Sequence, residues 1–274
     1  MIKKTKSEVP EVQRQKANLP AVNLSQQMLT DAHGNSGFEN MRPDDIAIPF
    51  ITILQALSPQ LRGTTKIKGA EEGDFFNTVT SEIYKGVIKV IPCAYHKSYV
   101  EWVPRDSGGG FVRQHDESIL EKCTRNDKNQ DILPGGNIIV TTGYHYCILL
   151  NGKKQERVVL AFSSTQLKKS RRWNSQMMAL QISSGSRVIT PPMFSHIYTC
   201  ETVEESNDHG SWAGWQISSP EMIDDSILYS FAKKFNGDVT KGSVKVSPPP
   251  DLTESAGQPS ESTAGMANAE SDVF

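Results

Sequence analysis

Between residues 70 and 217 apolar and polar residues alternate in short runs broken by Gly, Pro, Asn and Asp, a pattern that predicts many short strands and a barrel or sandwich. Gly73–Gly86 (GDFFNTVTSEIYKG) predicts a strand pair. Val87–Val103 (VIKVIPCAYHKSYVEWV) predicts one long bent strand or two, with Pro92 marking a bend or an edge. After a Gly-rich turn and a long polar loop, strands resume over Ile138–Leu150, turn at Asn151 and Gly152, and return through Arg157–Phe162 as a hairpin. Met193–Val203 and Ser211–Ser218 predict two more strands around an acidic turn at Glu204, Glu205, Asn207 and Asp208. The period changes in Thr165–Gln181 (TQLKKSRRWNSQMMALQ), which predicts an amphipathic helix capped by Ser164 or Thr165. Its apolar side holds Leu167, Trp173, Met177, Met178 and Leu180; its polar side holds Lys168, Lys169, Arg171 and Arg172. Pro220–Phe235 predicts a second helix, with acids in its first turns and Lys233 and Lys234 near its end.

The flanks lack such periodicity. Residues 1–40 carry isolated apolar residues among Lys, Gln, Asn and Ser, which predicts a flexible arm. The run from Asp44 to Leu54 is the first with enough β-branched content to enter a core, and beyond Gly237 the chain turns to Ser, Pro, Gly and acids. The expected organisation is an arm over 1–40, a mainly β core over 41–237 and a disordered acidic tail over 238–274. The expected fold is an elaborated OB-like barrel with one or two helices, its excess length supplied by the 113–134 loop and the 165–181 helix.

Charge sharpens this division. The formal net charge is −2, but residues 246–274 contain Asp251, Glu254, Glu261, Glu270 and Asp272 and no Lys or Arg. That segment is −5, so residues 1–245 carry +3, the asymmetry of a nucleic-acid binder with an acidic tail. No stretch approaches the roughly 18 apolar residues that span a bilayer, and MIKKTKSEVPEVQRQK lacks a signal-peptide core, so a cytoplasmic location without membrane partners is expected. Cys93, Cys123, Cys147 and Cys200 show no CxxC spacing and read as reduced thiols, mostly in the core.

Two constellations suggest a ligand. Tyr95, Lys97 and Tyr99 share one face of a strand by its two-residue period, with Lys89 on the same parity; Tyr144 and Tyr146, then Phe194, His196 and Tyr198, repeat the alternation. Rings stack on bases of any identity while lysines meet phosphates, so these residues, with Trp102 and Trp173, form a candidate platform for single-stranded DNA; the alternative is a set of half-buried sheet residues. The helix cations Lys168, Lys169, Arg171 and Arg172, with Lys153, Lys154 and Arg157 just before them, would hold a phosphate backbone; the alternative is a solvated helix face.

The chain closes on Ala269, Glu270, Ser271, Asp272, Val273, Phe274. An acidic tail with a terminal phenylalanine resembles that of bacterial single-stranded DNA-binding proteins and of small phage proteins of the same activity. The resemblance covers only the tail, and it implies that Glu270, Asp272 and Phe274 recruit replication or recombination partners. The core segments FENMRPDDIAIPFITILQALSPQ, GDFFNTVTSE and VEWVPRDSGGGF are similar to a group of poorly characterised phage proteins. No Walker loop, GxSxG, HExxH or GxGxxG is present. Asp74, Glu82 and Lys85 have the wrong spacing for a nuclease trio, and the pairs Cys93 with His96, His145 with Cys147 and His196 with Cys200 are too dispersed to indicate zinc. The reading is a non-enzymatic single-stranded DNA-binding protein without metal or cofactor, with self-association left open. Its rivals are a phage assembly protein and a nuclease.

Overall fold

The computed structural model describes residues 37–42 and 45–248 apart from 209, 219, 245 and 247, together with Met28 and Asp31. The expected arm and the segment beyond 248, including Glu270, Asp272 and Phe274, thus lie almost wholly outside the described residues. The chain divides at Asp45, and everything below concerns the unit that begins at Ile46.

That unit is mainly β, as its alternation predicts. Its strands are β1 (Phe50–Ile53), β2 (Phe75–Asn77), β3 (Ile83–Tyr84), β4 (Val87–Val103), β5 (Gly110–His115), β6 (Thr124–Arg125), β7 (Asp131–Ile132), β8 (Ile138–Asn151), β9 (Lys154–Ser163), β10 (Ile182–Ser184), β11 (Arg187–Ile189), β12 (His196–Asn207), β13 (Gly210–Ile217) and β14 (Glu221–Met222). Among its described residues the α-helices are α1 (Leu167–Ala179) and α2 (Ser226–Thr240). The main path of the sheet runs β13-β12-β4-β8-β9-β1-β2-β3, with β10 and β11 forming a separate hairpin. It curls into a half-barrel consistent with the OB-like expectation. Every pair is antiparallel except β1 with β9, where Phe50 meets Val159 and Ile51 meets Leu160.

Both faces of the sheet are covered, and β8 and β9 therefore read as nearly continuous apolar runs. Cys147, Leu149, Val158, Leu160 and Phe162 point to the concave side and pack with Trp173 and Met177 of α1. Tyr144, Tyr146, Ile148 and Val159 point to the convex side, under Leu228, Ala232 and Phe235 of α2. The β4–β8 register shifts between Pro92 and Ala94, leaving Cys93 unmatched against Cys147 and Tyr146. Proline has no N–H for the ladder, and a bulge there absorbs the defect. One extra residue also inverts the alternation: Ile88 and Val90 face the concave core before the bulge, whereas Tyr95, paired with His145, faces it afterwards. Lys89 is thereby turned to the opposite face from Tyr95, Lys97 and Tyr99, against its expected place among them.

The curl brings β13 to the chain leaving β1. The Gln55 side chain bridges them: its Nε2 donates to the Ala213 carbonyl at 2.9 Å and its Oε1 accepts from the Ala213 N–H at 3.0 Å. Two residues on, the Trp215 N–H donates to Gln166 Oε1 at 2.9 Å and the Trp215 carbonyl accepts from Lys169 Nζ at 2.6 Å. Side chains thus occupy backbone groups that another strand would otherwise take, which protects this edge against intermolecular pairing.

The helices differ in register from the sequence pattern. A 3-10 turn, Ser164–Gln166, precedes α1, whose N-terminus receives no side-chain cap from Ser164 or Thr165. α2 starts at Ser226 rather than near Pro220 because Glu221 and Met222 pair with β12 and Asp225 supplies the cap, accepting from the N–H groups of Ile227 and Leu228. It then runs past Gly237 to Thr240, and Val244 and Val246 pack on the convex cluster, so the ordered body continues beyond 237. Glu204 and Glu205 belong to β12, not to the turn that follows it.

Candidate nucleic-acid interface

The sheet buries five rings of the expected platform, Trp173 in the concave core, Trp102, Tyr144 and Tyr146 in the convex one, and Tyr99 in a small third cluster with Ile119 and Ile139. Tyr144 is 1% exposed, Tyr99 3%, Trp102 and Tyr146 5%, and Trp173 0%. A ring with no exposed face offers nothing for a base to stack on, so these five positions are corrected to core residues. The sequence pattern could not separate the cases, because a strand buried on both faces and a ligand platform both favour aromatics. Tyr95, Lys97 and Tyr99 do share a face, but it is the concave one. Tyr95 is half-buried beside His145, with ring centroids 4.9 Å apart, and close to Ser170 of α1. Gly143 makes this approach possible, since a Cβ there would lie 2.9 Å from Ser170 Oγ and 3.0 Å from the Tyr95 ring. The Tyr99 hydroxyl donates to Glu117 Oε1 at 2.8 Å, and Lys97 Nζ meets the same oxygen at 3.2 Å.

The cations are better disposed. Ser170, Trp173 and Met177, at helical spacing, turn one side of α1 into the concave core; Met178, expected with them, is 77% exposed. Lys168, Arg171 and Arg172 are exposed on the outer side and make no ion pair among the described residues. Lys169 departs from this set. It reaches back to Glu205 of β12, Nζ to Oε1 at 2.5 Å, as well as to the Trp215 carbonyl, and is unavailable for phosphate. Glu205 also accepts from Gln166 Nε2 at 2.7 Å and Trp212 Nε1 at 2.9 Å. Burial pushes its carboxyl up, but Lys169 and these hydrogen bonds outweigh it and hold the group below its ordinary range. The hairpin cations also differ: Arg157 pairs with Asp238 at 3.0 Å over the Phe235 ring, and Lys154 lies 3.9 Å from both Glu82 and Glu156.

Thr165 and Gln166, immediately before α1, line a partly enclosed cavity of about 190 Å³. Leu54, Leu57, Trp212 and Trp215 form much of its apolar wall, while Ser163, Ser211 and Arg105 add polar groups. It lies at the seam bridged by Gln55. Sequence reading missed it because residues distant in the chain meet only when the sheet curls. The basic outer face of α1 therefore begins beside a concave site walled by Trp212, with Trp215 in the core behind it.

The Pam3 phage gp34-like protein family matches residues 15–245. The chain belongs to this phage family. The match spans the whole sheet and both helices, including the segments whose wording resembles phage proteins. No curated protein and no solved structure matches.

In this phage family member Glu101, Arg113, His115 and Asn137 form a second, unanticipated polar cluster. Glu101, 5% exposed, accepts from His115 Nε2 at 2.7 Å and Asn137 Nδ2 at 2.6 Å, with Arg113 Nε at 3.4 Å. Its acid lies at the far end of β4, and its only sequence signal is one carboxylate inside the apolar run VEWV. Of the nuclease trio, Asp74 and Lys85 meet at 3.3 Å, whereas Glu82 accepts from Asn151 and Tyr84. Cys93, Cys147 and Cys200 are buried, and burial pushes the first and last thiols up to about 12. Among the described residues no three His, Cys, Asp or Glu side chains gather as a metal would require.

Proposed function

We propose that the chain is a single-stranded DNA-binding protein of a phage replication or recombination system, and that its DNA lies along α1. The observation that carries this reading is the group Lys168, Arg171 and Arg172, exposed together on one helix side without ion-pair partners among the described residues, beside a concave site walled by Trp212. Such a row neutralises successive phosphates, and the helix stays rigid because Trp173 and Met177 anchor its other side. The acidic segment 246–274, at −5, is the element offered to basic partner proteins of that system. Titration of tryptophan fluorescence with oligo-dT at two salt concentrations tests the reading. Binding that weakens as salt rises supports it, and absence of binding at low salt rejects it.

A second reading, an assembly protein, draws on the β10–β11 hairpin. It stands apart from the main sheet and exposes Val188 at 63% and Ile189 at 44%. Two-stranded hairpins are marginal alone, and a second copy of the chain would cover these residues. Sedimentation equilibrium tests this second reading, which requires concentration-dependent self-association that Val188→Lys weakens.

A further inference from the structure

We propose that the cavity at the β1–β13 seam receives one pyrimidine base of the bound strand; this rests on the reading that the strand lies along α1. An apolar cavity of about 150 Å³ is filled by one benzene ring. At about 190 Å³ the seam cavity has room for a six-membered ring with its substituents, and because it is only partly enclosed the second ring of a purine would project through its open side.

The walls suit such an occupant. Leu54, Leu57 and Trp212 supply apolar contact, and Trp212 is held in place because its Nε1 donates to Glu205, itself fixed by Lys169 and Gln166. A pre-positioned ring loses little freedom when a base packs on it. Hydrogen-bonding groups lie along the edge of the same strand. Ala213 and Trp215 turn their backbone groups to the free edge of β13, where Gln55, Gln166 and Lys169 occupy them. Ser211, two residues earlier, turns its N–H and carbonyl to the same edge by the alternation of an antiparallel strand. An adjacent donor and acceptor on a strand edge match the neighbouring acceptor and donor on the pairing edge of a pyrimidine. The hydroxyls of Ser163 and Thr165 stand on the same lining. Thr165 ends one residue before Gln166 and α1, so a nucleotide in the cavity leaves its 3′ or 5′ neighbours beside Lys168, where charge complementarity continues the path.

The test uses the full chain and oligonucleotides of one length: oligo-dT, oligo-dC, oligo-dA and an oligo-dT in which alternate positions are abasic. The expected result is at least roughly fivefold tighter binding of the two pyrimidine strands than of the other two, the lower end of what one stacked base contributes. Leu57→Trp fills the mouth of the cavity from an exposed position, 61% accessible, and should remove the preference while leaving the salt dependence intact. Equal affinities for all four strands, or a preference that survives in L57W, overturn the cavity assignment while DNA binding on α1 stands. Failure of every oligonucleotide to bind overturns both.

Discussion

Lys169 of α1 and Glu205 of β12 meet at 2.5 Å above Gly214 of β13. This pair divides the basic helix by function: Lys169 fastens α1 to the sheet, while Lys168, Arg171 and Arg172 look outward. The fastening requires a residue without a side chain beneath it. A Cβ on Gly214 would stand 2.7 Å from the Glu205 carboxyl carbon and 2.9 Å from Lys169 Nζ.

Gly214→Ala therefore forces the ion pair apart. Its neighbours are held by Gln166 and Trp212 and cannot retreat without losing further hydrogen bonds. The expected cost is about 1–3 kcal/mol, the range for inserting a methyl group into a packed site. Urea denaturation checks it, and Gly214→Ala with Lys169→Met should cost less than the sum of the two single changes, because both act on one contact.

The three outward cations make a separate prediction. On single strands each neutralised phosphate contributes about 0.7 to the slope of log affinity against log salt. Replacing Lys168, Arg171 and Arg172 together with Ala should lower the magnitude of that slope by about two and leave the melting temperature nearly unchanged, since these side chains make no ion pair among the described residues. Lys169→Ala should do the reverse, lowering stability with little change in slope. A triple variant whose slope equals that of the parent would remove α1 from the interface.

How much of this was legible depended on the range of the interaction. Alternation and turn residues located the β8–β9 hairpin, and the apolar spacing of Trp173 and Met177 located the inner side of α1, because both signals are local. Exposure of Tyr99 or Tyr144 was not legible, since a period of two says which residues share a face and not whether a helix covers it. The bulge at Pro92 shows the limit: the proline was visible as a bend, but the inversion that parted Lys89 from Tyr95 depends on which residue of β8 it meets. The seam cavity, built from β1, β9 and β13, needed the whole curl.

Trp173 was a stacking candidate in sequence and is a core residue in structure, and the two roles predict different outcomes. It is 0% exposed, stacked on His145 with centroids 4.5 Å apart and edge-on to Tyr198 at 5.4 Å. Trp173→Ala should cost about 3–5 kcal/mol through the void it leaves. Trp173→Phe keeps much of the packing and should leave affinity for oligo-dT within twofold, measured by anisotropy of a labelled strand. A large loss of affinity in a stable W173F protein would restore the stacking role.

The histidine under that tryptophan gives the protein a defined acid sensitivity. His145 is fully buried with its Nε2 2.8 Å from Ser170 Oγ, and burial pushes its pKa down to about 3. In the unfolded chain the imidazole protonates near 6.5, so as pH falls from there towards 3 the unfolded state binds a proton that the folded state refuses. His145 alone should lower stability by about 1.4 kcal/mol for each pH unit below 6.5, the slope set by one proton. The lowered carboxyl of Glu205 works in another window: its contribution is complete above the ordinary carboxylate range and is lost only as pH falls through its depressed folded value. Urea midpoints between pH 7 and 5 therefore read the buried histidines, and His196, its pKa also lowered by burial, adds to the slope of His145. His145→Gln retains a partner for Ser170 but cannot titrate, and it should reduce the slope there by the one-proton share of His145, leaving that of His196; an unchanged slope in the variant would move the acid sensitivity to another group.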